Sequence, residues 1–112
     1  MRAEVLRGHL DLLLLAIVQD GPQHGYAIIE ALRERSEGAI DLPDGTVYPA
    51  LHRLEQAGLL ASERSQFDGR TRRTYSITSG GKTAVAAKRQ EFSAFARVVQ
   101  SIAGTQPWPI TN

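Results

Sequence analysis

Cysteine is absent from the chain, which removes disulfide frameworks and thiolate zinc sites, zinc fingers included, and suits a reducing cytoplasm. No apolar run reaches the ~20 residues that cross a bilayer. The stretch Leu12-Leu13-Leu14-Leu15-Ala16-Ile17-Val18 is stopped by Asp20-Gly21-Pro22. Asp11 and Asp20 frame it and no small-residue cleavage site follows, so neither a signal peptide nor a membrane partner is expected. A strong charge of one sign is also missing. The net charge is +1, far from the basic body that coats nucleic acid without specificity. Finally there is no glycine-rich phosphate loop, no Gly-x-Ser-x-Gly elbow and no carboxylate pair beside a base. His9, His24 and His52 share no i, i+3 or i, i+4 spacing. No enzyme chemistry, cofactor or metal is expected.

What is present suits one small domain. The 112 residues are 42% hydrophobic, enough for a modest core that a partner could reinforce. Charge is unevenly placed: Arg70, Arg72 and Arg73 crowd one predicted turn, whereas Glu30, Glu34, Glu37, Asp41 and Asp44 gather upstream of residue 45.

Leucine richness and few β-branched residues favour a helix over residues 10–18, enclosed on all sides. After Gly21-Pro22, His24-Gly25 opens a second helix in which Tyr26, Ile29 and Leu32 recur at helical spacing. It ends near Ser36. Residues 45–58 read Gly-Thr-Val-Tyr-Pro-Ala-Leu-His-Arg-Leu-Glu-Gln-Ala-Gly, a third helix with Thr46 as its cap, Pro49 near its third position and Gly58 as its stop. It would bury Val47, Ala50, Leu51 and Leu54 and present Thr46, Tyr48, Pro49, His52 and Arg53, a face suited to a DNA major groove. Two strands, residues 59–65 and 72–77, are joined across Phe67-Asp68-Gly69, with Asp-Gly as the hairpin turn. Tyr75 and Ile77 take one face and Thr74 and Ser76 the other.

Thr78 then caps a last helix running to about Ala103. Along it Val85, Phe92 and Val99 fall seven apart, with Phe95 and Ile102 on a second seam. A small domain cannot cover that stripe, and a second copy of the chain is the simplest partner. Residues 104–112, with Trp108 between two prolines, read as an extended tail. The fold class is therefore mainly α with a small β-hairpin. A winged helix-turn-helix spans residues 1–78, a C-terminal dimerisation helix residues 79–103, and a flexible tail residues 104–112.

Three motifs resemble the PadR family of bacterial transcriptional regulators. His24-Gly25-Tyr26 resembles the family's signature at its second helix, and residues 45–55 resemble its recognition helix almost position for position. Residues 69–81, Gly-Arg-Thr-Arg-Arg-Thr-Tyr-Ser-Ile-Thr-Ser-Gly-Gly, are similar to its wing and following cap. The resemblance spans about residues 6–103 and implies the short subfamily, with a single C-terminal helix. It implies a homodimer whose first and last helices interlock through Leu10, Leu13, Leu14, Val85, Phe92, Phe95, Val99 and Ile102. It also implies a palindromic double-stranded DNA operator, repression, and effectors that tend to be small aromatic compounds. Carried over by position, Thr46, Tyr48 and Pro49 would meet the backbone and groove, with His52 and Arg53 further along. Arg70, Arg72 and Arg73 would be wing contacts.

Competing readings exist for several residues. The Tyr48 ring could instead support the wing, and Arg53 could pair with Glu55 or Glu34. Phe92 and Phe95 are candidates for an aromatic effector pocket, with dimer core as the rival. For the whole chain, the alternative is a dimeric winged-helix interaction or ligand-binding module without DNA readout.

Overall fold

A computed structural model describes Leu6 and residues 8–104, apart from the Phe67 side chain. Helix α1 covers Leu10–Gln19, strand β1 Gln23–His24, helix α2 Gly25–Arg35, helix α3 Asp44–Gln56, strands β2 Leu60–Phe67 and β3 Arg70–Ile77, and helix α4 Ser79–Ala103. The strands form one antiparallel sheet in the order β1-β3-β2. Helices, hairpin wing and final helix make a winged helix-turn-helix with a long C-terminal extension. None of the described helices is long and apolar enough to cross a membrane.

The core is a single cluster drawn from every element but β1. Leu14, Leu15 and Val18 of α1 meet Ile28 and Leu32 of α2, Leu51 and Leu54 of α3, Leu60, Tyr75 and Val85. Full burial of each aliphatic side chain contributes about 1.5–3 kcal/mol. No described polar or charged residue is buried.

The structure departs from the sequence-based expectation at several points. α1 is not enclosed on all sides, because Leu10, Leu12 and Leu13 keep a half-exposed flank. In α2 the inward positions are Gly25, Ile28 and Leu32, while Tyr26 points outward and is 62% exposed. Helix α3 begins earlier than expected. Pro43 is its cap residue, and its carbonyl accepts from the N–H groups of Thr46 and Val47 at 3.0 and 3.2 Å. Thr46 makes no cap bond, and Asp44 complements the helix dipole in the first turn. Pro49 is thus the sixth helical residue, where its missing N–H does leave the Gly45 carbonyl without its usual i+4 donor.

The end of α3 follows expectation. Leu59 N–H donates to the Leu54 carbonyl and Gly58 N–H to that of Glu55, both at 3.0 Å, the paired bonds of a Schellman stop. The strands run longer than anticipated because the turn is tight. Asp68 and Gly69 both take positive φ, 51° and 73°, the type I′ geometry that matches strand twist. Where the sequence predicts a helix opening at His24, the structure has the two-residue strand β1, which pairs Gln23 with Tyr75 and His24 with Thr74. At α4 the Thr78 hydroxyl accepts from Gly81 N–H at 3.0 Å and donates to the Gly58 carbonyl at 2.7 Å.

Candidate nucleic-acid interface

Burial of Val47, Ala50, Leu51 and Leu54 fixes the rotation of α3. Thr46, Tyr48, Pro49, His52 and Arg53 are consequently exposed, one continuous outer face. The wing stands beside it. Between them lies a cleft of about 520 Å³ lined by His24, Gly25, Tyr26, Tyr48, Arg70, Thr71, Arg72 and Arg73. The two-residue turn and the register that sets Arg70 against Phe67 and Arg73 against Arg64 carry the arginines along one strand into this cleft.

Tyr48 joins the parts. Its ring occupies the space where a side chain at residue 25 would stand, so an added Cβ on Gly25 would collide with Cε1 and press on Cζ. Burial of the ring, and then the Asp44 carboxylate, raise the hydroxyl above its usual 10.0, leaving a neutral donor and acceptor at the cleft. The ring packs and the hydroxyl stays available, so the two readings of Tyr48 coexist.

Arg53, Arg72 and Arg73 each have a partner within the chain. Arg53 Nη2 pairs with Asp11 Oδ1 of α1 at 2.6 Å, not with Glu55 or Glu34. Arg53 is exposed and Asp11 half-buried; pairs open to solvent on one side contribute about 1 kcal/mol, so a phosphate can compete for Arg53. Arg73 Nη1 donates to Ser62 Oγ at 2.8 Å, whose hydroxyl donates to Glu55 Oε2 at 2.6 Å. Arg72 Nη1 lies 2.8 Å from His24 Nε2. Arg70 is exposed near the wing tip. His52 flanks a shallow recess with Glu55, Gln56, Arg73 and Tyr75. Sequence reasoning missed Asp11, His24, Tyr26 and Ser62, which come from four different elements or their edges. Only the His-Gly-Tyr run hinted at two of them.

On the far side, the expected seam divides. Leu14 and Val85 are 0% and 1% exposed within the protomer's own core, so they have no surface to offer a second chain. Leu10 and Leu13 are half-buried. Phe92, Phe95, Val99 and Ile102 are open, Ile102 to 83%, together with Val98, which the heptad reading had not included. His9 stacks edge-on against Phe92, ring centroids 5.8 Å apart at 78°. A recess of about 150 Å³ beside them is lined by His9, Leu12, Lys88, Glu91, Phe92 and Phe95. Trp108 and the rest of the tail lie outside the described residues. The described residues contain no His, Asp or Glu cluster suited to a metal ion.

The profile of the Transcriptional regulator PadR-like family matches residues 14–87. Transcriptional regulator Rv3488 of Mycobacterium tuberculosis is 38% identical over 96 residues, 86% of this chain and 87% of that one. A PadR family transcription regulator from Clostridium difficile R20291 superposes with a TM-score of 0.76 at 33% identity, covering 86% of this chain and 99% of that one. A transcriptional regulator from Clostridium thermocellum gives a TM-score of 0.83 at 26% identity, covering 88% and 97%.

Proposed function

Because the chain belongs to the PadR-like family of transcriptional regulators, whose members are non-enzymatic DNA-binding proteins, we propose that it is a homodimeric repressor of a palindromic operator in the cytoplasm. The observation that carries this reading is the exposed face of α3 beside the wing, with Tyr48 of that face and Arg70, Arg72 and Arg73 of the wing lining one open cleft. α3 enters the major groove, with Thr46, Tyr48 and Pro49 toward the backbone and His52 and Arg53 toward the base edges. Arg70, Arg72 and Arg73 reach phosphates or the adjacent minor groove.

Two-fold symmetry sets the half-sites about one helical turn apart, ~34 Å. Phe92, Phe95, Val98, Val99 and Ile102, with Leu10 and Leu13, supply the surface that a second copy covers. The recess beside Phe92 and Phe95 is assigned to a small aromatic effector whose binding releases DNA.

Fluorescence anisotropy of the full chain against its own upstream DNA and an unrelated duplex, at two salt concentrations, tests the reading. A preference for its own DNA that weakens steeply with salt is expected. Equal, weak binding to both duplexes would instead favour a winged-helix interaction module.

A further inference from the structure

The bond between Arg72 and His24 has a chemical requirement. A guanidinium carries donors only and keeps its charge at all biological pH values. With Arg72 Nη1 at 2.8 Å, His24 Nε2 has to be the lone-pair acceptor, which leaves the imidazole proton on Nδ1. A proton added at Nε2 would set donor against donor beside a full positive charge. Cationic His24 and Arg72 can remain neighbours only if an anion accepts from both.

Among the described residues, the charged and titratable groups placed around His24 include no such anion. From β3 the same cleft receives Arg70, Arg72 and Arg73; from α3 it receives Tyr48, and from α2 Tyr26. Asp44 stands one helical turn before Tyr48 and acts on that phenol. On the sheet His24 pairs with Thr74, which pairs with Glu63; the backbone of Glu63 is two strand spacings away, about 10 Å. The cleft, at about 520 Å³, is open to an incoming phosphate.

We propose that His24 is a further DNA-binding residue, one that engages a backbone phosphate in its protonated form, so that binding the duplex takes up a proton. The inference rests on the DNA-binding reading given above. In the free protein the neutral imidazole holds Arg72 toward the cleft. When the phosphate arrives, the bond between Arg72 and His24 is exchanged for two charge-assisted bonds to the phosphate, one from Arg72 and one from His24. The proton comes from solvent and returns there on dissociation. Histidine changes charge between about pH 5 and 8, so affinity rises as pH falls through that range.

The test compares anisotropy on one labelled duplex at fixed ionic strength, at about pH 7.5 and about pH 6, for the wild-type chain and His24→Gln. Wild type should tighten about five-fold, within the tenfold per pH unit that one linked proton permits. In H24Q, whose amide oxygen can still accept from Arg72, the ratio between the two pH values should fall toward one. An unchanged wild-type ratio in H24Q, or a wild-type affinity that ignores pH, overturns the inference. Should the variant not fold, NMR titration of the wild-type His24 imidazole decides: its midpoint must move to higher pH with duplex bound, and an unmoved midpoint overturns the inference. Absence of binding to any duplex at low salt would remove the DNA-binding reading itself, and the inference with it.

Discussion

Gly25 is a position where a single methyl group has a large foreseeable effect. Its missing side chain makes room for the Tyr48 ring, which ties the start of α2 to the outer face of α3. Gly25→Ala should therefore destabilise the fold by about 1–3 kcal/mol, as overpacking does, read as a lower urea midpoint. Adding Tyr48→Ala should recover part of that loss; a G25A protein as stable as wild type would show that the ring is not held there. Tyr75 carries a different consequence. Burial, then the Glu55 carboxylate, raise its phenol above 10.0. The folded state thus binds the proton more tightly than the unfolded chain, and the associated stability is complete below about pH 10 and lost as pH climbs toward the raised folded value. Urea midpoints measured at about pH 8 and about pH 10.5 should fall further for wild type than for Tyr75→Phe.

Among the elements, the wing offers the most direct measurement. Arg72→Ala with Arg73→Ala should weaken binding to every duplex and reduce the slope of log affinity against log salt by up to about 1.8, roughly 0.9 for each phosphate released. An unchanged slope would sink the wing assignment. The elements differ in how plainly the sequence announced them. α3 and the hairpin were legible because local rules decide them: helical spacing of Val47, Ala50, Leu51 and Leu54, a glycine stop, and Asp-Gly in a two-residue turn. β1 was not, since Gln23 and His24 have no strand pattern and are extended only because Tyr75 and Thr74 lie alongside. The start of α3 was misplaced because Thr46 has the better capping chemistry, yet the chain leaving Pro43 is already extended and its carbonyl begins the helix. The acceptors Asp11, His24 and Ser62 stayed hidden for a related reason. Their arginines are 42, 48 and 11 residues away in sequence, and no periodicity links such pairs.

For the molecule as a whole, the uncovered half of α4 is decisive. Phe92→Asp should give a monomer by analytical ultracentrifugation and abolish operator binding, because one wing alone holds one half-site. A dimeric or DNA-competent F92D protein would refute the seam. Only one residue, Thr78, separates β3 from α4, and its hydroxyl is bonded to Gly58 at the end of α3. The seam residues and the groove-facing helix are thus mounted on one stiff shaft. From Val85 to Ile102 that shaft measures about 26 Å at 1.5 Å per residue. In the proposed dimer, a tilt of about 10° at its far end would carry the reading head some 4 to 5 Å sideways, close to the length of one helical turn, so an event too slight to unpack any side chain at the seam would still throw the two proposed reading heads out of step with the pitch of the duplex.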